Sequence, residues 1–234
     1  MNRFSEFIRS KIRYLGFDLN HFGRFKILKF LNIDLILDVG ANKGQYASSL
    51  RWGGYKGNII SYEPLNSAFK ILKHKSILDK KWDVFNFGLG DINGVFKINE
   101  SKNSYSSSIL DISTKHLQES PNSKYICNYE VNIKRLDDIF FETAKDFNNI
   151  FLKIDTQGFE EKIILGAKQS LKFIKLIQME VSIEELYTEE KLLLEMCNLM
   201  DRIGFKVISI EPGFFSKSNG FMLQAEIIFL NKNS

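Results

Sequence analysis

A buried-looking aliphatic run that stops on an aspartate and passes at once into a turn with two glycines four apart constrains this chain more than any other stretch. Residues 35–46 read LILDVGANKGQY. Continuous aliphatics ending on a glycine-containing turn suit a strand covered on both faces that feeds a helix. The alternation continues beyond it. A helix is expected from Lys43 to about Trp52, a strand at 58–63, a helix over 66–78, and a third strand with its loop at 82–90. GVFKIN (94–99) adds a β extension, YEVNIKRLDDIF (129–140) a strand leading into a helix, and NIFLKIDTQG (149–158) the fourth parallel strand. A helix, the strand LIQMEVS, a helix over 188–203 and two strands at 205–212 and 223–231 close the chain. The last two have no helix between them and form a hairpin, so the final strand runs antiparallel. The expected fold is α/β, a parallel sheet with helices on both faces.

Two segments stand apart. Residues 100–128 are an insertion with Ser104, Ser106, Ser107, Ser108, Ser120 and Ser123, and little regular structure is expected beyond a short helix near 111–118. Residues 1–31 hold seven Lys/Arg against Glu6 and Asp18, which places a local +5 there and leaves the rest of the chain at −1. Phe4, Phe7, Ile8, Ile12 and Leu15 recur at helical spacing in that segment, and Phe22, Phe25 and Leu28 mark a second short helix. Residues 1–34 therefore read as a basic amphipathic helical cap on a domain spanning 35–234. Peripheral contact with an anionic membrane surface through residues 1–31 is the other use of such a helix. Without an apolar signal core or a cysteine framework (Cys127 and Cys197 stand alone), the expected place is the cytoplasm, extending to the inner membrane surface.

A glycine-rich turn before a helix offers N–H groups to an anionic or carboxylate ligand group. Neither G-x-x-x-x-G-K-[ST] nor G-x-G-x-x-G is present, which sets aside a nucleoside triphosphate loop and the dinucleotide fingerprint. Asp38, two residues before Gly40, is positioned to pair with a ligand ammonium, and Glu63 ends the second strand where an acid takes ribose hydroxyls. A ligand with an amino-acid end and a ribose fits both, and S-adenosyl-L-methionine is that ligand. The antiparallel hairpin favours methyl transfer over a dehydrogenase.

These segments resemble the FkbM-type S-adenosylmethionine-dependent methyltransferases. The matching stretches are DVGANKGQY (38–46), SYEP (61–64), NFGLGD (86–91), SSSIL (106–110), LKIDTQGFEEKIILGA (152–167) and QMEVS (178–182). The family form of the fourth-strand segment is K-I-D-x-E-G-x-E, and this chain carries Gln157 in place of the first Glu. The resemblance implies a class I methyltransferase fold, Rossmann-like, with a seven-stranded sheet and an antiparallel last strand. It also implies O-methylation of a sugar hydroxyl in a surface polysaccharide, glycolipid or secondary metabolite. By carry-over, Asp38, Gly40, Asn42, Gly44, Gln45 and Tyr46 line the methionine and ribose side. Glu63 takes the ribose, Asn86, Gly88 and Leu89 the adenine, and Ser107 and Ser108 approach from the insertion.

A sugar hydroxyl needs help to lose its proton, so a base is expected near the methyl group. Asp155, at a strand end facing the crevice of an open α/β sheet, is the first candidate, Glu180 on the next strand the second, and His116 in the insertion the third. No His/Cys cluster has zinc spacing, so no metal is expected. The rival readings are an RNA 2'-O-methyltransferase and a cofactor-binding module without catalysis. The slight acidity outside residues 1–31 argues against broad contact with nucleic acid.

Overall fold

The computed structural model describes residues 21–233, so the basic helix expected within residues 1–20 lies outside the described residues. The chain divides between Ile33 and Asp34 into two units. The described part of the first holds one helix, α1 (His21–Phe30).

The second unit is built on seven strands: β1 (Leu35–Val39), β2 (Asn58–Tyr62), β3 (Trp82–Phe85), β7 (Ile150–Ile154), β8 (Ile174–Ser182), β9 (Phe205–Pro212) and β10 (Gln224–Asn231). They lie in the order β3-β2-β1-β7-β8-β10-β9. All neighbours are parallel except those of β10, which runs antiparallel to both β8 and β9. This is the seven-stranded class I methyltransferase arrangement with its reversed last strand. Every residue of β1 and β7 is buried, because the connecting helices cover both faces of a parallel sheet. Those helices are α2 (Gln45–Trp52), α3 (Asn66–Ser76), α5 (Leu136–Thr143), α6 (Glu160–Leu165) and α7 (Leu193–Arg202). The largest apolar cluster joins the sheet's Leu37, Leu152 and Met179 to Phe140, Ile163 and Met196 of the helices.

The insertion departs from expectation. Besides α4 (Thr114–Glu119) and a 3-10 turn at Pro121–Ser123, it contributes the start of a ten-residue strand, β6 (Tyr125–Lys134). β6 pairs antiparallel with β5 (Gly94–Ser101) and parallel with β4 (Gly88–Leu89), making a separate three-stranded sheet. The strand begins before residue 129 because Tyr125 to Asn128 pair with the end of β5; Val131 and Ile133 are its buried positions and carry the apolar alternation. The serines also have a structural use. Asn103 Oδ1 accepts from Ser101 Oγ and from the Tyr105 and Ser106 amides, while its Nδ2 donates to Ser106 Oγ and Ser123 Oγ. Hydroxyls that satisfy one another hold the loop in one conformation.

Candidate active site

At the carboxyl end of β1 the backbone turns through Gly40 (φ 74°), Asn42 (φ 47°) and Gly44 (φ 76°). A Cβ on Gly40 would stand 2.0 Å from the Asp155 carbonyl oxygen, so the ends of β1 and β7 approach as only glycine permits. Glu63, at the end of β2, clamps this turn: Oε2 accepts the Asn42 N–H at 2.7 Å and Oε1 the Leu65 N–H at 2.8 Å. Burial pushes its carboxyl up to about 7, against the pull of those two amides.

A cleft of about 600 Å³, its open mouth included, lies beside this clamp. Gly40, Asn42, Glu63, Gly88, Leu89, Ser107, Ser108 and Asp155 line it, as expected from the sequence. Leu65, Ile98, Ile109 and Ile133 supply an apolar wall that the sequence reading missed. Leu65 precedes α3, while Ile98, Ile133 and Ile109 come from β5, β6 and the insertion, which gather only when the second sheet folds.

Five expected positions sit elsewhere. Asp38 is fully buried beneath the turn; Lys153 Nζ lies 3.3 Å from its Oδ1, and Ser61 Oγ donates to its Oδ2 at 3.2 Å. It therefore meets a protein ammonium rather than lining the cleft. Gly44 packs on α3 and β3, where a Cβ would meet Leu72 at 2.9 Å and Trp82 at 3.0 Å, and this turns the start of α2 away from the cleft. Gln45 accordingly faces a separate surface hollow with Arg51 and Trp52. Tyr46 lies under Lys153, 5.1 Å from ring centre to ammonium, and donates to Gln178 Oε1 at 3.3 Å. Asn86 braces the β2 end from outside, donating to the Glu63 and Pro64 carbonyls at 2.9 and 3.1 Å.

Lys153 was not singled out in the sequence, although a lysine inside the apolar run IFLKI was the available signal. It contacts Asp38 on one side and Asp155 Oδ2 at 3.4 Å on the other. Burial alone would lower its affinity for a proton, but the two carboxylates outweigh that and hold it above the ordinary lysine range. Burial pushes Asp38 the other way, upward, with Lys153 opposing. Because the ammonium has a carboxylate on each side, the charged pair is the form that this geometry supports.

Asp155 also belongs to a second cleft, lined by His116, Glu180, Phe214 and Gln224 as well as by Tyr105 and Gln157, which the two clefts share. Gln157, in a left-handed conformation (φ 58°), joins the carboxylates: its Nε2 donates to Asp155 Oδ1 at 2.8 Å and to Glu180 Oε2 at 3.1 Å. Its Oε1 accepts from Tyr187 at 2.8 Å. Burial, and then the charges of Asp155 and Glu226, raise the Glu180 carboxyl to about 8. His116 is not a solvated loop residue. Ser113 caps its helix, the ring is 4% exposed, and it packs edge-on to Tyr187 at 5.1 Å. Burial lowers its proton affinity, which keeps the ring neutral at pH 7. Asp155 thus stands where two clefts meet, while Glu180 and His116 face only the second.

Residues 38–207 match the family model described as Methyltransferase FkbM domain. The chain belongs to the FkbM methyltransferase family. It is 27% identical over 160 residues to the 2-O-methyltransferase NoeI of Sinorhizobium fredii, a match covering 65% of each chain. It also resembles the crystal structure of Methyltransferase FkbM from Methylobacillus flagellatus, with a TM-score of 0.51 and 14% identity over 83% of this chain and 43% of that one. The chain thus spans less than two thirds of either relative's length.

The methyl donor of an FkbM domain is S-adenosyl-L-methionine, and the first cleft can be tested against it. Asn42 Oδ1 and Ser104 Oγ, both buried on that cleft's wall, have no hydrogen-bond partner within the protein. Orphaned polar atoms beside a flat apolar wall and a carboxylate suit a ligand with an amino-acid end, a ribose and a purine. The residues fit the group. No helix among the described residues is long and apolar enough to cross a membrane.

Proposed function

We propose that this chain is an O-methyltransferase that uses S-adenosyl-L-methionine to methylate a hydroxyl of a sugar in a surface polysaccharide, glycolipid or secondary metabolite. The observation that carries this reading is the position of Asp155, a half-exposed carboxylate on the walls of both clefts. The name of the rhizobial relative, a 2-O-methyltransferase, supports oxygen as the acceptor atom.

Asn42, Ser104 and Glu63 would hold the amino-acid and ribose parts of the cofactor, and the apolar wall its adenine. The bound cofactor supplies an electrophilic methyl group on a sulfonium. The chain's task is to hold an acceptor hydroxyl in line with that carbon, at roughly 3–3.5 Å, and to exclude water. Asp155 would take the hydroxyl proton as the carbon–oxygen bond forms and the carbon–sulfur bond breaks. Gln157 aims the carboxylate by its hydrogen bond to Oδ1, and Lys153 supports it from beneath. Glu180, protonated at neutral pH because of its raised proton affinity, is the weaker candidate for a base.

The test pairs labelled S-adenosylmethionine and a panel of glycan acceptors with calorimetric titration of the cofactor. Asp155→Asn is expected to lower turnover by about 100-fold or more, the usual worth of a positioned base, while cofactor affinity changes little. Turnover equal to that of the unaltered protein removes Asp155 from the mechanism.

A further inference from the structure

We infer that the second cleft is an acceptor subsite selective by charge, built for an uncharged, hydroxyl-bearing ring and closed to phosphorylated or carboxylated ones. The inference rests on the acceptor-site reading above and adds to it which acceptors are admitted.

The cleft's chemistry carries the argument. No Lys or Arg among the described residues lines it, so a bound phosphate or carboxylate would find no cation there. Its charged wall is Asp155, whose ion-pair partner Lys153 is buried behind it and already shared with Asp38. An added anion would meet like charge in a partly desolvated hollow, where repulsion is weakly screened. Glu180, the other acid on this wall, supplies no cation either, and the remaining walls are uncharged. His116 is 4% exposed and its Nδ1 has no hydrogen-bond partner; Gln224 is buried and offers an amide; Tyr105 and Phe214 offer ring surface. Hydroxyl groups match such walls because each can donate to a carboxylate or a ring nitrogen and accept from an amide, while the carbon face of the ring covers an aromatic side chain.

Saturation-transfer NMR tests this directly, with a methyl hexopyranoside, the corresponding uronate and the corresponding hexose 6-phosphate as matched probes. The neutral glycoside is expected to contact the protein, and each anionic probe to bind about tenfold more weakly or less. Phe214→Ala should abolish the neutral signal while leaving S-adenosylmethionine titration unchanged, which also shows that the variant is folded. Should that variant fail to fold, Phe214→Leu, which keeps an apolar side chain on the second cleft alone and removes only the ring face, carries the same test. Anionic probes binding as well as the neutral one, a neutral signal that survives truncation, or no signal from any probe overturns the inference. Loss of S-adenosylmethionine binding by the unaltered protein would instead count against the proposed function, so the two failures are separable.

Discussion

Gln157 uses each of its polar capacities on a site residue: two N–H bonds reach Asp155 and Glu180, and its oxygen accepts from Tyr187. The family form places a glutamate here. In this chain a carboxylate would lose both donations and stand between two other acids, of which Glu180 already holds its proton unusually tightly. Gln157→Glu is therefore expected to destabilise the fold in a pH-dependent way. The new carboxyl would have a folded affinity for protons above its unfolded value of about 4.3. Its cost is then absent at lower pH and grows as pH rises through the interval between the two values, by about 1.4 kcal/mol per unit of separation. Thermal melts of the variant and the unaltered protein should diverge as pH is raised from about 5 to about 8. A constant gap would mean that the crowding of acids is harmless.

At the scale of elements, a row of polar side chains crosses the central strands of the sheet. Ser61 on β2, Asp38 on β1, Lys153 on β7 and Gln178 on β8 are neighbours in strand register. Trp82 donates to Ser61 at 3.0 Å at one end of the row, and Gln178 donates to Glu226 at the other. Removing one member of a buried ion pair strands its partner, at a typical cost of about 3–5 kcal/mol. Lys153→Met should lower stability by about that amount, and adding Asp38→Asn should recover part of it, because a neutral amide can still accept from Ser61. Denaturant unfolding of the single and double variants measures this, and additive losses would deny that the two residues form a unit. The same row marks the limit of sequence reading. The alternation of strands and helices, the reversed last strand and the glycine turn after β1 were legible because aliphatic runs and glycines report backbone needs locally. The pairing of Asp38 with Lys153 was not legible, because that lysine lies 115 residues away on a strand whose register no local pattern specifies. Tyr187 and the apolar wall from Ile98 and Ile133 were unreadable for the same reason, and β6 was shortened because its exposed half carries no alternation.

Across the whole molecule, several buried acids bind protons more tightly in the folded chain than in the unfolded one. Burial is the leading cause at each: Glu63 and Glu160 are raised from 4.5 to about 7, Glu180 to about 8, and Glu190 upward as well. A carboxyl raised in this way contributes stability that is complete below its unfolded value and is lost as pH climbs to the folded one. His116 works in the opposite sense, since burial lowers it and folding gains stability as pH rises toward 6.5, the gain being complete above that value. One imidazole set against four carboxyls does not reverse the trend. The protein free of cofactor is therefore expected to melt at a higher temperature near about pH 5.5 than near about pH 8, reflecting a stability difference on the order of a few kcal/mol. Calorimetric scans across that range read the slope. A melting temperature that rises steadily from acid to base would mean that water reaches these acids in the folded protein.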